Sequence, residues 1–346
     1  MKAVYITKHG GTEVMTYGEV SEPNGGPNDV KVRVRACALN RVDVFTRAGV
    51  RGTRINFNGP HVLGGDASGD VVEVGQEVRS VKVGDRVVVN PRLTCAQCIY
   101  CVGGESELCT DHGRLGLTTN GSYAEYVNVP AVNVVVLPET LSYTEAAALP
   151  SVFIPCWSML IRRAGLKAWE TVLVLSASSG VGSAAIQVAK NVIGSNVIAT
   201  TSTDRKSDMA RDLGADEVIN YTTTDVTKRV KELTGGRGVE VVVDHVGADS
   251  WPSAYASLAM GGRYGICGVT SGYQVDFQMG LLFMRSQTIL GVYMGRGEDL
   301  QQIVELAARG VVRSVIDEVF PLQDAVRAHR VMESRGFFGK LILSVS

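Results

Sequence analysis

Four cysteines in one short segment constrain the fold of this chain more than any other feature. Cys95, Cys98, Cys101 and Cys109 follow the pattern C-x2-C-x2-C-x7-C. Regular C-x2-C spacing is typical of metal sites rather than of disulfides. Four thiolates satisfy tetrahedral Zn²⁺ and leave no coordination position for a reactant. The segment therefore predicts a compact lobe, residues 92–112, closed around one structural Zn²⁺.

The bulk composition narrows the class of protein. The chain has 346 residues, of which 45% are hydrophobic, enough for two domains with their own cores. A formal net charge of −1 indicates no basic surface of the kind that nucleic acid requires, and no apolar run approaches the roughly 18–20 residues of a membrane span. Outside the motif, Cys37, Cys156 and Cys267 are scattered, which fits a reducing compartment. We expect a cytoplasmic protein with neither nucleic acid nor membrane as a partner.

The sequence pattern changes once along the chain. Residues 1–140 hold short β-branched runs such as V-K-V-R-V-R (30–35), whose alternation predicts half-buried strands of an antiparallel, barrel-like domain. From residue 141 strand-like runs alternate with helical segments, which predicts a doubly wound parallel sheet. The chain is therefore expected to be an α/β protein with two domains.

The first strand of the second region runs into a dinucleotide-type turn. The sequence L-V-L-S-A-S-S-G-V-G (173–182) gives a strand, a glycine turn and a helix, although Ala177 replaces the first glycine of the usual pattern. Small residues there let the backbone approach a pyrophosphate at the helix N-terminus. The strands of a doubly wound sheet also present their carboxyl ends to the ligand. We therefore predict the following cofactor contacts: Ser179, Gly180, Val181, Val246, Gly247, Ile266 and Gly268.

The end of the next strand indicates which dinucleotide binds. An acidic residue there would bind a ribose 2′-hydroxyl, but the chain has hydroxyl and cationic side chains at Ser202, Thr203, Arg205 and Lys206. These suit a 2′-phosphate, which a carboxylate would repel. We interpret Asp204 as the N-cap of the following helix. The prediction is NADP(H) rather than NAD(H).

The order of these motifs resembles the medium-chain dehydrogenase/reductase superfamily, which includes zinc alcohol dehydrogenases and quinone reductases. The resemblance covers essentially the whole chain, including V-L-G-G-D-A-S-G-D (62–70) and K-V-G-D-R-V (82–87). It implies a GroES-like antiparallel β-barrel catalytic domain formed by residues 1–140 and 296–346, and a Rossmann NADP(H)-binding domain over residues 141–295. It also implies that Tyr221 lies beside the adenosine phosphate. A homodimer or homotetramer would form through the apolar strand at residues 286–294.

The resemblance also locates a catalytic zinc site whose ligands are absent. The three ligand positions fall at Asn40, within Gly64-Gly65-Asp66, and at Ser151, and none of these is Cys or His. Zinc that polarises a carbonyl needs three good protein ligands and one open position. The pattern therefore resembles the zinc-independent quinone and enone reductases.

The expected activity is hydride transfer from NADP(H) to quinones, enones or bulky ketones under the broad label of alcohol dehydrogenase. Asn40 would donate a hydrogen bond to the developing oxygen anion, and Arg41 or solvent would supply the proton. Two alternatives stay open: a zinc alcohol dehydrogenase with replacement ligands such as Asp43 or Asp66, and a non-catalytic NADPH-binding protein. Asp43 and Asp66 are more simply interpreted as hydrogen-bond anchors, and Lys340 either approaches the cofactor phosphates or is an ordinary exposed lysine.

Overall fold

The computed structural model describes all 346 residues and divides into two compact units. The first unit joins Met1–Ser151 to Arg296–Ser346, and the second is Val152–Gly295. The first boundary lies later than residue 140 because the helix Tyr143–Ala147 packs on strands of the first unit. Its Ala147 is fully buried in a small cluster with alanines of one of those strands.

Eighteen strands follow one another along the chain. They are β1 (Lys2–Ile6), β2 (Thr16–Glu19), β3 (Asp29–Ala38), β4 (His61–Val62), β5 (Asp66–Val74), β6 (Arg86–Val89), β7 (Arg92–Leu93), β8 (Gly113–Arg114), β9 (Tyr126–Pro130), β10 (Val134–Val136), β11 (Thr171–Val174), β12 (Asn196–Thr201), β13 (Glu217–Asn220), β14 (Val239–Asp244), β15 (Leu258–Ile266), β16 (Thr288–Gly291), β17 (Ile316–Pro321) and β18 (Lys340–Ser344).

Eleven α-helices connect these strands, and π-helical turns (158–163 and 188–193) continue the fourth and fifth. The helices are α1 (Arg41–Ala48), α2 (Ile99–Val102), α3 (Tyr143–Ala147), α4 (Pro150–Trp157), α5 (Gly180–Gln187), α6 (Asp204–Asp212), α7 (Val226–Leu233), α8 (Trp251–Ala256), α9 (Met279–Met284), α10 (Gly297–Ala308) and α11 (Ala325–Ser334). None of them is long and apolar enough to cross a membrane.

The first unit is built on a seven-stranded sheet with the order β10-β6-β5-β3-β18-β17, and β9 pairs with β3 as the seventh strand. All pairs are antiparallel except β17 with β18. On β3 the valines Val30, Val32 and Val34 are buried, as the alternating pattern of that strand predicted. A second sheet, β2-β1-β4, and the hairpin β7–β8 complete this unit.

The second unit is a six-stranded sheet with the order β13-β12-β11-β14-β15-β16, and every pair is parallel. Counted from its own first strand the order is 3-2-1-4-5-6, which is that of a doubly wound dinucleotide fold. The order reverses between β11 and β14, so the crevice that binds ligands in such folds opens where these two strands end. The predicted α/β class, with one antiparallel and one Rossmann-type unit, is confirmed.

Candidate active site and metal centre

The four cysteines of the first unit converge on one point. Their Sγ atoms all lie within 4.8 Å of one another, with Cys95 Sγ 3.5 Å from Cys109 Sγ and 4.0 Å from Cys101 Sγ. A tetrahedron of Zn–S bonds of about 2.3 Å has S···S edges of roughly 3.8 Å. The four sulfurs therefore fit a Zn²⁺ ion held by four thiolates.

The pKa values of the clustered thiols also favour a bound cation. Backbone N–H groups of Cys101 and Thr110 lower the pKa of the Cys98 thiol to about 6. Burial and the neighbouring sulfurs raise the pKa of Cys101 to about 12. Four adjacent thiolates repel one another unless a metal ion neutralises them, so this arrangement suits structural zinc.

In the second unit the dinucleotide turn has the geometry of a phosphate site. Ser179 is the N-cap of α5, and its Oγ accepts a hydrogen bond from Gly182 N at 2.8 Å. A Cβ at Gly182 would lie 2.2 Å from the carbonyl oxygen of Ser176, so only glycine lets α5 approach β11 this closely. The first turn of α5, including the predicted Gly180 and Val181, therefore presents backbone N–H groups and a positive dipole end to a ligand.

The neighbouring strand end carries a buried histidine. His245 Nε2 lies 2.7 Å from Ser179 Oγ, and burial lowers the pKa of His245 to about 4, so the ring is neutral at physiological pH. Its Nδ1 atom is enclosed without a hydrogen-bond partner. The same strand end includes the predicted Val246 and Gly247, whose N–H groups both donate to Asp244 Oδ1.

The end of β12 carries no carboxylate. Thr203, not Asp204, is the N-cap of α6, since its hydroxyl accepts from Lys206 N, so the interpretation of Asp204 as the cap was wrong. Asp204 is the first helical residue and accepts from the Asn220 amide at 3.2 Å. Lys206 is buried, whereas Arg205 is exposed.

Two further predicted contacts are placed by their strands. The Tyr221 side chain is 51% exposed, and its backbone N donates to Thr201 O at the end of β12. Ile266 is the last residue of β15, two residues before Gly268. A Cβ at Gly268 would approach the carbonyl oxygen of His245 at 3.1 Å, so the ends of β14 and β15 are in close contact.

The positions to which the resemblance assigns catalytic zinc ligands, Asn40, the Gly64-Gly65-Asp66 motif and Ser151, are joined by hydrogen bonds in the first unit. Asn40 Nδ2 donates to Asp66 Oδ2 at 2.9 Å, and Ser151 Oγ donates to Asp66 Oδ1 at 2.6 Å. Asp66 is fully buried. Both of its oxygens are therefore committed to neighbouring side chains and not to a metal.

Lys340 closes this network. Its Nζ donates to Asn40 Oδ1 at 2.6 Å and to Leu39 O at 2.8 Å, and it lies 3.5 Å from Asp66 Oδ2. The lysine is only 4% exposed, so neither interpretation of it as an exposed lysine nor as a phosphate contact was right. Burial lowers the pKa of Lys340, and the charge of Asp66 opposes that shift.

Sequence reasoning missed Arg114, the other cation of this cluster. Arg114 Nη2 donates to Ser151 Oγ at 3.2 Å, and a Cβ at Gly65 would lie 3.6 Å from the same nitrogen. The guanidinium therefore lies close to the central ligand position. No local pattern marks this arginine, because its position depends on the hairpin of β7 and β8.

A buried carboxyl lies behind the network. Asp43 Oδ2 accepts from Asn40 N at 2.8 Å and from the Tyr123 hydroxyl at 3.3 Å. Burial raises the pKa of Asp43 to about 6. Asp43 and Asp66 thus act as hydrogen-bond anchors, and both oxygens of Asp66 are taken by neighbouring side chains.

The two predicted catalytic residues differ from expectation. The Asn40 amide nitrogen already donates to Asp66 and, at 3.3 Å, to Ala38 O, so the predicted donation from Asn40 to a substrate lacks a free N–H. Arg41, the first residue of α1, forms no hydrogen bond in the network. The charges that act on its pKa belong to Arg335 and Glu333, and burial lowers that pKa.

Comparison with known proteins agrees with this architecture. Residues 26–139 match the family model of the alcohol dehydrogenase GroES-like domain, and residues 180–309 match that of the zinc-binding dehydrogenase. An NAD-dependent alcohol dehydrogenase of Sulfolobus acidocaldarius is 32% identical over the full length of both chains.

Solved structures extend the likeness. The crystal structure of an NAD-dependent alcohol dehydrogenase is 42% identical, has a TM-score of 0.95 and is matched over 100% of both chains. The Escherichia coli quinone oxidoreductase complexed with NADPH is 29% identical with a TM-score of 0.84, covering 99% of this chain and 100% of that one. The chain therefore belongs to the medium-chain dehydrogenase/reductase superfamily and is an oxidoreductase of the alcohol dehydrogenase and quinone oxidoreductase type.

Proposed function

We propose that this protein is an NADP(H)-dependent reductase that transfers hydride to enones, quinones or bulky ketones without a catalytic zinc, and that it holds one structural Zn²⁺. The observation that carries the proposal is the closed network of Asn40, Asp66, Ser151 and Lys340 at the three zinc-ligand positions. It contains no Cys or His ligand, and a buried ammonium group lies within it.

The zinc-dependent alternative is disfavoured by charge and by hydrogen bonding. A dication at this point would meet the Lys340 ammonium, and it would have to displace the donors that occupy both oxygens of Asp66. A metal here would break a buried ion pair whose hydrogen bonds are satisfied. It would gain only one carboxylate ligand, which does not make a tetrahedral site. Conjugated carbonyls and quinones accept hydride without a Lewis acid if hydrogen bonds stabilise the developing oxygen anion.

The preference for NADP(H) rests on the end of β12. Ser202 and Thr203 offer hydroxyls there, Arg205 offers an exposed cation, and Tyr221 is half exposed beside them. Asp204 is held by Asn220 on the first turn of α6. The relatives point both ways, since one is named NAD-dependent and another is complexed with NADPH.

The chain's own residues divide the work between the two units. The N-terminus of α5 and its Ser179 cap would hold the pyrophosphate, and Arg205 with its neighbouring hydroxyls would hold the 2′-phosphate. NADP(H), when bound, supplies the hydride. The buried network around Asp66 keeps the first unit's polar groups fixed, and solvent provides the proton that completes the reduction.

A dimer is the expected assembly. The strand β16 is the last strand of the parallel sheet, so the hydrogen-bonding groups along its outer edge are unpaired. Exposed apolar side chains lie in or near it in the sequence: Phe283, Met284, Ile289 and Tyr293. An exposed edge strand flanked by apolar side chains suits strand addition from a second copy. A homotetramer would join two such dimers.

Elemental analysis and acceptor assays test the proposal. We expect one zinc per chain, with oxidation of NADPH in the presence of a quinone, an enone or a cyclic ketone. Two zincs per chain, with activity lost when the second is chelated, would establish the zinc alcohol dehydrogenase instead. NADPH binding with no turnover of any acceptor would indicate the non-catalytic alternative.

Cofactor choice has its own test. Arg205→Ala should weaken NADPH binding about tenfold and leave NADH binding nearly unchanged, since only NADPH carries the phosphate. Arg211→Ala is the matched control, because Arg211 is an exposed arginine on the same helix, paired with Asp208. Equal losses for both cofactors would contradict the assignment.

A further inference from the structure

Arg114 is held firmly at its backbone and loosely at its guanidinium. It lies on β8 opposite Arg92 of β7. Its backbone N–H donates to Thr118 Oγ1 at 2.8 Å, and its carbonyl oxygen accepts from the same hydroxyl. The side chain is 7% exposed. Its one hydrogen bond is the 3.2 Å donation to Ser151.

The remaining N–H groups of Arg114 are available to a ligand. A guanidinium has five N–H donors, no carboxylate lies within ion-pair distance of this one, and none of its nitrogens is among the fully enclosed unpaired atoms. The unused donors are therefore not sealed inside the protein, and a ligand oxygen can bind them. Lys340 differs, since its donors are taken by Leu39, Asn40 and Asp66.

This guanidinium lies beside two of the positions to which the resemblance assigns zinc ligands. A Cβ at Gly65 would lie 3.6 Å from Arg114 Nη2, with Leu115 O and the Pro91 side chain slightly nearer at 3.4 Å, and the same nitrogen contacts Ser151. Ser151 is in turn fixed by Asp66, which also binds Asn40. The Arg114 cation thus lies beside the ligand positions at Gly65 and Ser151, and the third, Asn40, is linked to Ser151 through Asp66.

We propose that the Arg114 guanidinium replaces the catalytic metal by binding the carbonyl oxygen of the acceptor, with Ser151 as the residue that orients it. The inference rests on the proposed function. Hydride added to the acceptor's β-carbon or carbonyl carbon leaves an electron pair on the oxygen as an enolate or alkoxide, and water then supplies the proton. The charge-assisted N–H donors of Arg114 stabilise that anion.

Charges around Arg114 allow this role. Ser151 is uncharged, and Asp66 is already balanced by Lys340. Asp43 makes no ion pair with Arg114, although the Arg114 charge acts against the burial that raises the pKa of Asp43, and Asp43 Oδ2 accepts from Asn40 and Tyr123. An anion that forms at Arg114 therefore meets a positive charge that no ion pair holds.

The test compares two arginines that face each other across one hairpin. With NADPH and cyclohex-2-enone, Arg114→Met should lower kcat/KM by about 100- to 1000-fold, as does loss of an oxyanion donor, while the Kd of NADPH and the zinc content stay unchanged. Arg92→Met, in which the lost guanidinium contacts Glu107 O, should stay within threefold of wild type. Ser151→Ala should lower kcat about tenfold without altering the Kd of NADPH.

Chemical rescue and a binding probe keep the outcomes distinct. Guanidinium ion added at low millimolar concentration should raise the activity of Arg114→Ala at least tenfold. A purely structural role for Arg114 predicts no such increase. In the presence of NADP⁺, 4-nitrophenolate, an oxyanion that mimics the enolate, should bind wild type at least tenfold more tightly than Arg114→Met. If wild type binds 4-nitrophenolate in this way but reduces no acceptor, the proposed function is refuted and the anion site at Arg114 is still supported.

Either of two results would overturn the inference. One is a kcat/KM for Arg114→Met within threefold of wild type. The other is equal binding of 4-nitrophenolate by wild type and by Arg114→Met.

Discussion

Removal of the Lys340 ammonium should destabilise the first unit severely. Lys340 is 4% exposed and Asp66 is fully buried, so Lys340→Met leaves a buried carboxylate without its countercharge. Breaking such a pair by removing one partner costs about 3–5 kcal/mol. The lost donations to Leu39 O and Asn40 Oδ1 add to this cost at roughly 1–3 kcal/mol for each acceptor left unsatisfied, so about 3–5 kcal/mol is a lower bound.

Hydrogen exchange measures this loss in the unit concerned. A cost of at least about 3–5 kcal/mol should accelerate exchange of the β3 and β18 amides by at least two to four orders of magnitude, at about 1.4 kcal/mol per decade. All three tryptophans, Trp157, Trp169 and Trp251, belong to the second unit, so their fluorescence follows that unit separately.

Two further variants complete the experiment. Lys190→Met removes a lysine whose ion pair with Asp216 is about one-third exposed, and it should cost less than about 1 kcal/mol despite the shorter distance of 2.6 Å. Asp66→Asn combined with Lys340→Met should recover much of the loss, because no charge is then left unpaired. Exchange of the β18 amides in Lys340→Met within threefold of wild type would refute the reasoning.

Asp43, Gly182 and the cysteine lobe each give a further testable prediction. Burial raises the pKa of Asp43 to about 6 from 3.8, so its contribution to stability is present below about pH 4 and is lost as the pH rises to 6. Relative to Asp43→Asn, the unfolding free energy of the wild type should fall by about 1.4 kcal/mol per pH unit across that window and stay flat above it, and parallel profiles of the two proteins between pH 4 and 6 would contradict this. Gly182→Ala should weaken NADPH binding at least tenfold because the new Cβ meets backbone at 2.2 Å, whereas Gly280→Ala, with open space around it, should not, as fluorescence titration can show. Chelation at neutral pH should release one zinc per chain, measured by a colorimetric metal indicator, and should unfold the cysteine lobe without changing the fluorescence of the second unit.

Features coded by local spacing could be predicted from the sequence. The C-x2-C repeats bring four sulfurs together through a few turns of chain, and the alternation of strands with helices specifies a doubly wound order. The resemblance placed Ser151 in one site with Asn40 and Asp66, and the three side chains are linked by hydrogen bonds.

Long-range pairings could not be predicted in the same way. Lys340 looks like any lysine before a final strand, and only the pairing of β18 with β3 brings it under Asn40. Arg114 is one of many arginines until the β7–β8 hairpin directs it to Gly65. Which donors of an amide remain free, as for Asn40, depends on neighbours that are hundreds of residues away or on other strands.

The discontinuity of the first unit has a consequence for its biosynthesis. On the ribosome, β3 and β5 emerge long before β18, which lies between β3 and β17 in the finished sheet. Until Lys340 is translated, Asp66 has no ammonium partner, so the central sheet cannot close around it without an unpaired carboxylate. The continuous second unit, Val152–Gly295, has no such dependence and can fold first. Nascent chains stalled before β18 should therefore bind dinucleotide while their amino-terminal strands still await a partner.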